Sequence, residues 1–202
     1  MKKSYLAVLL MVTLAPSCLV AQKNEVALTF GSTISPAAEG NGFCEACPVQ
    51  PPPGPVHVGT GFAWQATFSR RVADFRLASL SLELPVAGTP SRSEGSFLSS
   101  SYSSTFFTPA AQLRLLPNSR LSPFASFGGG MARFAGGGTS GTTGALQFGG
   151  GVDFRTPLSH FALRAEGRDF VSGRPSSLIP LNNITANHIQ HVFVGGGIVL
   201  KF

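Results

Sequence analysis

Two cysteines separated by two residues form the most reactive pair in the chain. Cys44 and Cys47 make a CxxC motif, a spacing found in thiol–disulfide oxidoreductases, where it lies beside a βαβ unit. Here a proline-rich stretch from Pro48 to Pro55 follows the motif, which is the composition of a loop. Lys2, Lys3 and the apolar run after them are typical of an export signal. Because an exported chain meets oxidising conditions, we expect a local disulfide between Cys44 and Cys47 that staples a loop. A metal site built on two thiols alone is a weaker alternative.

Serine and histidine residues near the end of the chain could supply a nucleophile and its base. His188 and His191 follow Ser172, Ser176 and Ser177 in the sequence. No spacing among them identifies a nucleophile together with a base and an orienting acid. We therefore expect no catalytic residue, and an enzyme that modifies lipids is kept as the second alternative function.

Three glycine triplets, at 128–130, 149–151 and 195–197, could be taken for phosphate-binding loops. Such a loop is followed by a helix and a Lys-Ser/Thr pair, and neither follows here. The triplets lie within extended segments, where glycine permits tight curvature or leaves room for a bulky neighbour. His57 and His160 form no cluster of metal ligands, so we expect neither a metal nor another cofactor.

The start of the chain has the three regions of a secretory signal peptide. Lys2 and Lys3 precede an apolar run, and Leu19-Val20-Ala21 provides small residues for cleavage. We predict a cleaved signal peptide over 1–21 and one domain over 22–202. A lipoprotein site that leaves an acylated Cys18 is the alternative, although Pro16 fits that motif poorly.

The composition is unusual for a soluble domain. Charged residues make up 12% of the chain, compared with about 25% in typical soluble domains. The formal net charge is +6, but the basic residues are scattered along the chain, which argues against nucleic-acid binding. No segment after the signal peptide has the roughly 20 apolar residues that a membrane-spanning helix needs.

Period-two alternation of apolar and polar residues is the strongest structural signal. We count eight such segments, each about as long as a tilted membrane strand. The segment from Leu146 to Arg155 shows the contrast most clearly, whereas the fifth, at 123–134, selects no face. In the fourth, Pro109 removes a donor of the strand ladder and requires a local defect.

The links between the segments alternate in length. Short links lie at 70–74, 117–122 and 156–160. Longer links, rich in Gly, Ser, Pro and Asn, lie at about 34–57, 86–103, 135–144 and 172–187. Membrane barrels have short periplasmic turns and long external loops. The sequence therefore predicts an all-β fold, an eight-stranded antiparallel up-and-down transmembrane β-barrel with both termini in the periplasm.

The charged residues of the segments fall on the polar face. With the apolar face toward lipid, these side chains project into the lumen, where opposite charges can pair: Glu83, Arg114, Asp153, Arg155, Arg164, Glu166, Arg168 and Lys201. On the lipid face, Arg or Lys would cost about 2–4 kcal/mol at mid-bilayer. A water-soluble β-sandwich would tolerate charged side chains on its outer face. Because eight strands leave room only for side chains, we expect a plugged lumen, with a proton or ion path as the alternative.

The closing segment from His191 to Phe202, and the similar stretch from Phe148 to Phe154, resemble the small outer-membrane β-barrel proteins of the OmpA, OmpX and OmpW type. The resemblance covers nearly all of 22–202. It implies a Gram-negative outer-membrane location and an insertion machinery that reads Phe202, with Leu200 and Ile198, as an assembly signal. No peptidoglycan-binding domain follows Phe202, which argues against a wall-anchoring role.

We accordingly expect a non-enzymatic protein with a structural or surface-interaction role. Four exposed loops would carry any specificity, and outer-membrane lipids and lipopolysaccharide would surround a monomeric barrel. A narrow channel for small solutes is the first alternative function.

Overall fold

The computed structural model describes residues 24–35, 38–40, 54–56, 60–93, 101–136, 138–158, 160–173 and 188–202. The predicted signal peptide, Cys18, Cys44 and Cys47 lie outside these ranges. The described residues form the strands β1 (Asn24–Ile34), β2 (Ala38–Gly40), β3 (Gly54–Val56), β4 (Gly61–Asp74), β5 (Ala78–Ser93), β6 (Ser101–Phe107), β7 (Ala110–Leu115), β8 (Leu121–Gly136), β9 (Thr139–Arg155), β10 (Phe161–Gly173) and β11 (His188–Lys201). Among them, no helix is long and apolar enough to cross a membrane.

Nine of these strands form one closed antiparallel sheet in the order β4-β1-β11-β10-β9-β8-β6-β5-β7, closed further by pairing of β4 with β5 and of β7 with β8. The first and last strands pair from Glu25↔Lys201 to Ile34↔Val192. Because β6 and β7 both pair with β5 and β8, they are two halves of one strand. The prediction of an eight-stranded antiparallel up-and-down β-barrel is confirmed, and β2 and β3 form a separate small sheet.

Pro109 explains why the fourth barrel strand is divided. Proline has no N–H to donate to the ladder, and the strand is interrupted at Thr108 and Pro109. The carbonyl oxygen of Pro109 still accepts a hydrogen bond from the Gly129 N–H at 3.1 Å. The defect is therefore local, and the wall continues through it.

The alternation of side chains follows the predicted faces in most strands. Leu82, Leu146 and Ile198 are exposed outside, at 56%, 55% and 51%, while their polar neighbours are buried inside. The fifth segment, β8, has aromatic residues on both faces, with Phe127 exposed and Phe134 buried. This explains why its sequence selected no face.

The links differ from the predictions in three places. The predicted loop at 135–144 is wrong, because β8 and β9 pair as far as Gly136↔Thr139, leaving a tight turn in which Gly138 has a φ of 80°. The predicted loop at 86–103 is too long, since β5 and β6 extend into it. The predicted turn at 70–74 lies instead at residues 75–77. In each case backbone pairing continues through polar or mixed residues that carry no clear alternation.

Three short turns, at residues 75–77, 116–120 and 156–160, lie at the same end of the barrel as the two ends of the sheet, whereas the tight β8–β9 turn lies at the opposite end. At the first of these ends the backbones of Asn24 and Phe202 exchange hydrogen bonds of 2.7 and 2.9 Å. We call this the terminal end, and the opposite end, with the β8–β9 turn, the loop end.

Gly197 allows β11 to approach β1 closely, and this close approach can be tested. A Cβ at Gly197 would overlap the carbonyl oxygen of Leu28, whereas a Cβ at Gly144 would meet nothing within 4 Å. We expect Gly197→Val to prevent barrel closure and Gly144→Val to fold normally. The shift in gel mobility between unboiled and boiled refolded protein measures closure. A folded Gly197→Val barrel would contradict the close approach of these strands.

Candidate functional site

The inward side chains fill the barrel, and most of the ionised ones lie toward the terminal end. Four carboxylates and three guanidinium groups of the described residues are buried there: Glu25, Glu83, Asp153, Glu166, Arg114, Arg164 and Arg168. An unpaired charge in such surroundings would be very costly. The arrangement of these groups therefore depends on pairing.

Arg114 is the centre of the first part of this network. Its two terminal nitrogens each donate to one oxygen of Glu25 at 2.6 Å, which is the strong bidentate arrangement. One of them also lies 2.9 Å from Asp153. Asp153 in turn accepts from Arg164 at 2.8 and 3.0 Å. The Arg164 guanidinium lies 4.5 Å from the ring centre of Phe124.

Arg168 is the centre of the second part. It lies 3.1 Å from Glu83 and 2.9 Å from Glu166. Glu166 also accepts hydrogen bonds from Thr29 at 2.7 Å and from Gln65 at 2.9 Å. The carboxylates are thus held by neutral donors from two other strands as well as by arginine.

Gln112 joins the two parts. Its amide nitrogen donates to Glu83 at 2.6 Å, and its amide oxygen accepts from Arg114 at 3.3 Å. The buried charges therefore form one connected network that crosses the interior and ties opposite walls together.

Of the eight charged residues predicted to face the lumen, the structure places six in this network: Glu83, Arg114, Asp153, Arg164, Glu166 and Arg168. Lys201 lies at the terminal mouth, 3.7 Å from Glu25. Arg155 also lies at this mouth, outside the network: its side chain is exposed and donates to the backbone oxygens of Pro117 and Asn118. It ends β9, so its side chain reaches the adjacent turn.

Glu25, Gln65 and Gln112 also belong to the network, although the sequence did not predict them there. Glu25 occupies a polar-face position of the first segment, and this parity was the signal that could have identified it. Gln65 and Gln112 also have inward parity, but their role as connectors depends on contacts between distant strands. Such contacts are not readable from spacing.

The interior toward the loop end is aromatic rather than charged. Phe106 packs against Phe170, Phe134 and His191, with ring centres 4.8, 5.9 and 5.3 Å apart. Phe193 belongs to the same buried cluster. Between this cluster and the charged network, Thr108 donates to Gln147 at 2.7 Å. Simple alternation did not predict an apolar core here, because it assigns polar residues to the inner face.

The candidate nucleophile and base residues do not assemble into a catalytic group in the part of the chain that the structure describes. His191 lies 3.0 Å from the hydroxyl of Ser35, whereas Ser172 is buried and its hydroxyl has no hydrogen-bond partner. His188 is exposed on the outer side of β11. Ser176 and Ser177 lie outside the described residues. The same described part contains no group of three potential metal ligands.

The predicted assembly-signal residues lie on the outer face of the closing strand. Ile198, Leu200 and Phe202 alternate there, exposed at 51%, 40% and 59%. Their role in assembly remains a prediction.

Comparison with solved structures finds the same barrel fold. Neisserial surface protein A gives a TM-score of 0.58 at 15% identity, over 88% of this chain and 97% of that chain. A major outer membrane protein from Thermus thermophilus gives 0.55 at 14% identity, over 91% and 100%. No protein-family model and no curated protein matches the sequence. At these identities the likeness establishes the fold.

Asp153 provides a test of the charge network, because it is shared by two arginines. Asp153→Asn would leave Arg114 and Arg164 with excess buried charge. We expect the free energy of unfolding to fall by about 3–5 kcal/mol, measured by urea unfolding of the refolded barrel in lipid vesicles. The matched control is Asp74→Asn, since Asp74 is an exposed partner of Arg71, and it should cost less than about 1 kcal/mol. Equal losses in the two variants would contradict the network.

Proposed function

We propose that this barrel, which has the fold of the small outer-membrane β-barrel proteins, spans a bacterial outer membrane as a closed, non-enzymatic surface protein. Its external loops would carry any interaction with other molecules. The observation that carries the proposal is the distribution of side chains: large apolar groups surround the outside, and the buried ionised groups are paired inside.

The apolar outer surface requires a partner. Large exposed apolar side chains occur on every barrel strand, including Phe30, Phe62, Leu84, Leu113, Phe127, Phe148, Leu163 and Val194. Soluble monomers rarely expose a contiguous apolar patch larger than a few hundred Å². Acyl chains would cover this surface around the whole barrel, which a second protein copy on one side would not do.

Ionisable residues with outward parity lie toward the ends of their strands. Arg133 and Asp169 lie in the loop-end halves of β8 and β10, and Arg70 lies toward the terminal end. Near the membrane interfaces the cost of such a charge falls to about 0–1 kcal/mol. Their positions fit a membrane whose apolar core surrounds the middle of the barrel.

The packing of the interior supports a lumen that is blocked by side chains. A channel would need a continuous wet path, and the charged network and the aromatic cluster both lie across the interior. The arginines hold carboxylates from opposite walls, so moving one side chain would break several charge-assisted hydrogen bonds. We therefore favour a plugged lumen over conduction.

Three short turns at the terminal end support one orientation, although the β8–β9 turn at the loop end is also tight. Membrane barrels keep their short turns in the periplasm, which would place the terminal end, with Asn24 and Phe202, on that side. The outward Ile198, Leu200 and Phe202 would then be available to the insertion machinery during assembly. Outer-membrane lipids and lipopolysaccharide would contact the outer face of a monomeric barrel.

The orientation can be tested with two engineered cysteines at opposite ends, in a background with Cys44 and Cys47 changed to Ser. Ser140 is exposed near the β8–β9 turn, and Asn118 is exposed in a turn of the terminal end. A membrane-impermeant maleimide applied to intact cells should label Ser140→Cys and leave Asn118→Cys unlabelled until the outer membrane is permeabilised. Labelling with the opposite preference would overturn the orientation.

Conduction can be tested directly in a planar bilayer. We expect the purified, refolded barrel to give no stable conductance steps, because its interior is occupied by paired and packed side chains. The protein would be delivered to the bilayer from lipid vesicles, and recovery of heat-modifiable protein from those vesicles would verify that it is folded and inserted. Reproducible steps from the wild-type barrel would favour the narrow-channel alternative.

A further inference from the structure

We propose that the terminal mouth of the barrel binds the phosphate headgroup of an anionic glycerophospholipid. The mouth contains a cavity of about 460 Å³, a size within the usual range for small-ligand sites. Its lining includes Arg71, Arg155, His160, Lys201, Phe161 and Phe202. The identity of the lipid rests on the proposed membrane location, whereas the anion preference rests on the cavity alone.

Three Lys and Arg side chains line this cavity, and Arg71 is paired with Asp74 at 3.0 Å, so Lys201 and Arg155 carry the charge that remains to be neutralised. Glu25 lies 3.7 Å from Lys201 and 3.9 Å from Arg71. Both of its oxygens are already held by Arg114 at 2.6 Å, so its charge is largely committed inside the barrel.

Arg155 adds a cation with no carboxylate partner among the described residues. Its contacts are with the backbone oxygens of Pro117 and Asn118, at 2.9 and 3.4 Å. These bonds hold the guanidinium at the mouth but leave its positive charge uncompensated. A phosphate would accept charge-assisted hydrogen bonds from it.

The rim of the cavity is apolar on the side that meets the outer surface. Phe161 and Phe202 line the cavity and are 42% and 59% exposed. Aromatic side chains at the ends of a membrane barrel lie at the level of the lipid headgroups. A ligand that joins a phosphate to acyl chains would pair with the cations and also contact the apolar rim. A free phosphate would only pair with the cations.

Native mass spectrometry of the full mature barrel, released from detergent, measures retained lipid directly. The protein would be mixed with equal amounts of phosphatidylglycerol and phosphatidylcholine. We expect preferential retention of phosphatidylglycerol, reduced about tenfold or more in Arg155→Gln/Lys201→Gln, since the phosphate would lose the charge-assisted hydrogen bonds from both side chains. The control is Arg120→Gln, because Arg120 lies at the same end but stacks on Phe154 outside the cavity, 5.3 Å from its ring centre.

Several outcomes would overturn the proposal. These are equal retention of the two lipids, an unchanged preference in the double variant, or an equal loss in Arg120→Gln. Complete competition by millimolar inorganic phosphate would show a site for the free anion instead of the lipid. If the double variant does not fold, the same comparison is made with Arg155→Gln alone, because replacing this exposed side chain should leave the fold intact. The measurement is made on the isolated barrel. A negative result would therefore contradict the lipid site but not the membrane location, which the maleimide labelling tests separately.

Discussion

Buried charge is tolerated in this barrel because the wall encloses it and opposite charges pair. A barrel wall that is apolar outside can keep ionised groups between its strands only if they face inward and are paired. Glu25, Arg114 and Asp153, from three different strands, meet this requirement together. The pairing works only in a closed sheet, because an open one would separate β1 from β11 and expose the same groups.

The two halves of the barrel interior are filled by different kinds of side chain. Near the terminal end, long charged side chains span the lumen and hold opposite walls through hydrogen bonds. Near the loop end, Phe106, Phe134 and Phe170 fill it by aromatic packing. Buried ion pairs contribute little net stability compared with apolar packing, although losing one partner is costly. The charged half would therefore determine which residues face each other across the lumen, while the aromatic half supplies apolar burial at the loop end.

Much of the fold could be predicted because a strand has a period of two, so residue parity alone assigns each side chain to a face. Parity placed Arg114, Asp153 and Arg168 inside, and Pro109 marked the interrupted strand. It could not assign β8, whose two faces both carry phenylalanine, nor could it place Arg155, whose strand ends at the mouth. Loop lengths were overestimated where the hairpin at Gly138 continues through small polar residues. Those strand ends are held by backbone hydrogen bonds, which carry no side-chain pattern.

The chain has a single tryptophan, and it reports directly on what the outer face contacts. Trp64 has outward parity on β4, and its ring lies over Gly88 of the neighbouring strand. Its fluorescence should be quenched strongly in vesicles of lipids brominated on their acyl chains and hardly at all by iodide in the water. Strong iodide quenching without quenching by brominated lipid would contradict the central claim that the apolar face of this barrel meets the membrane interior.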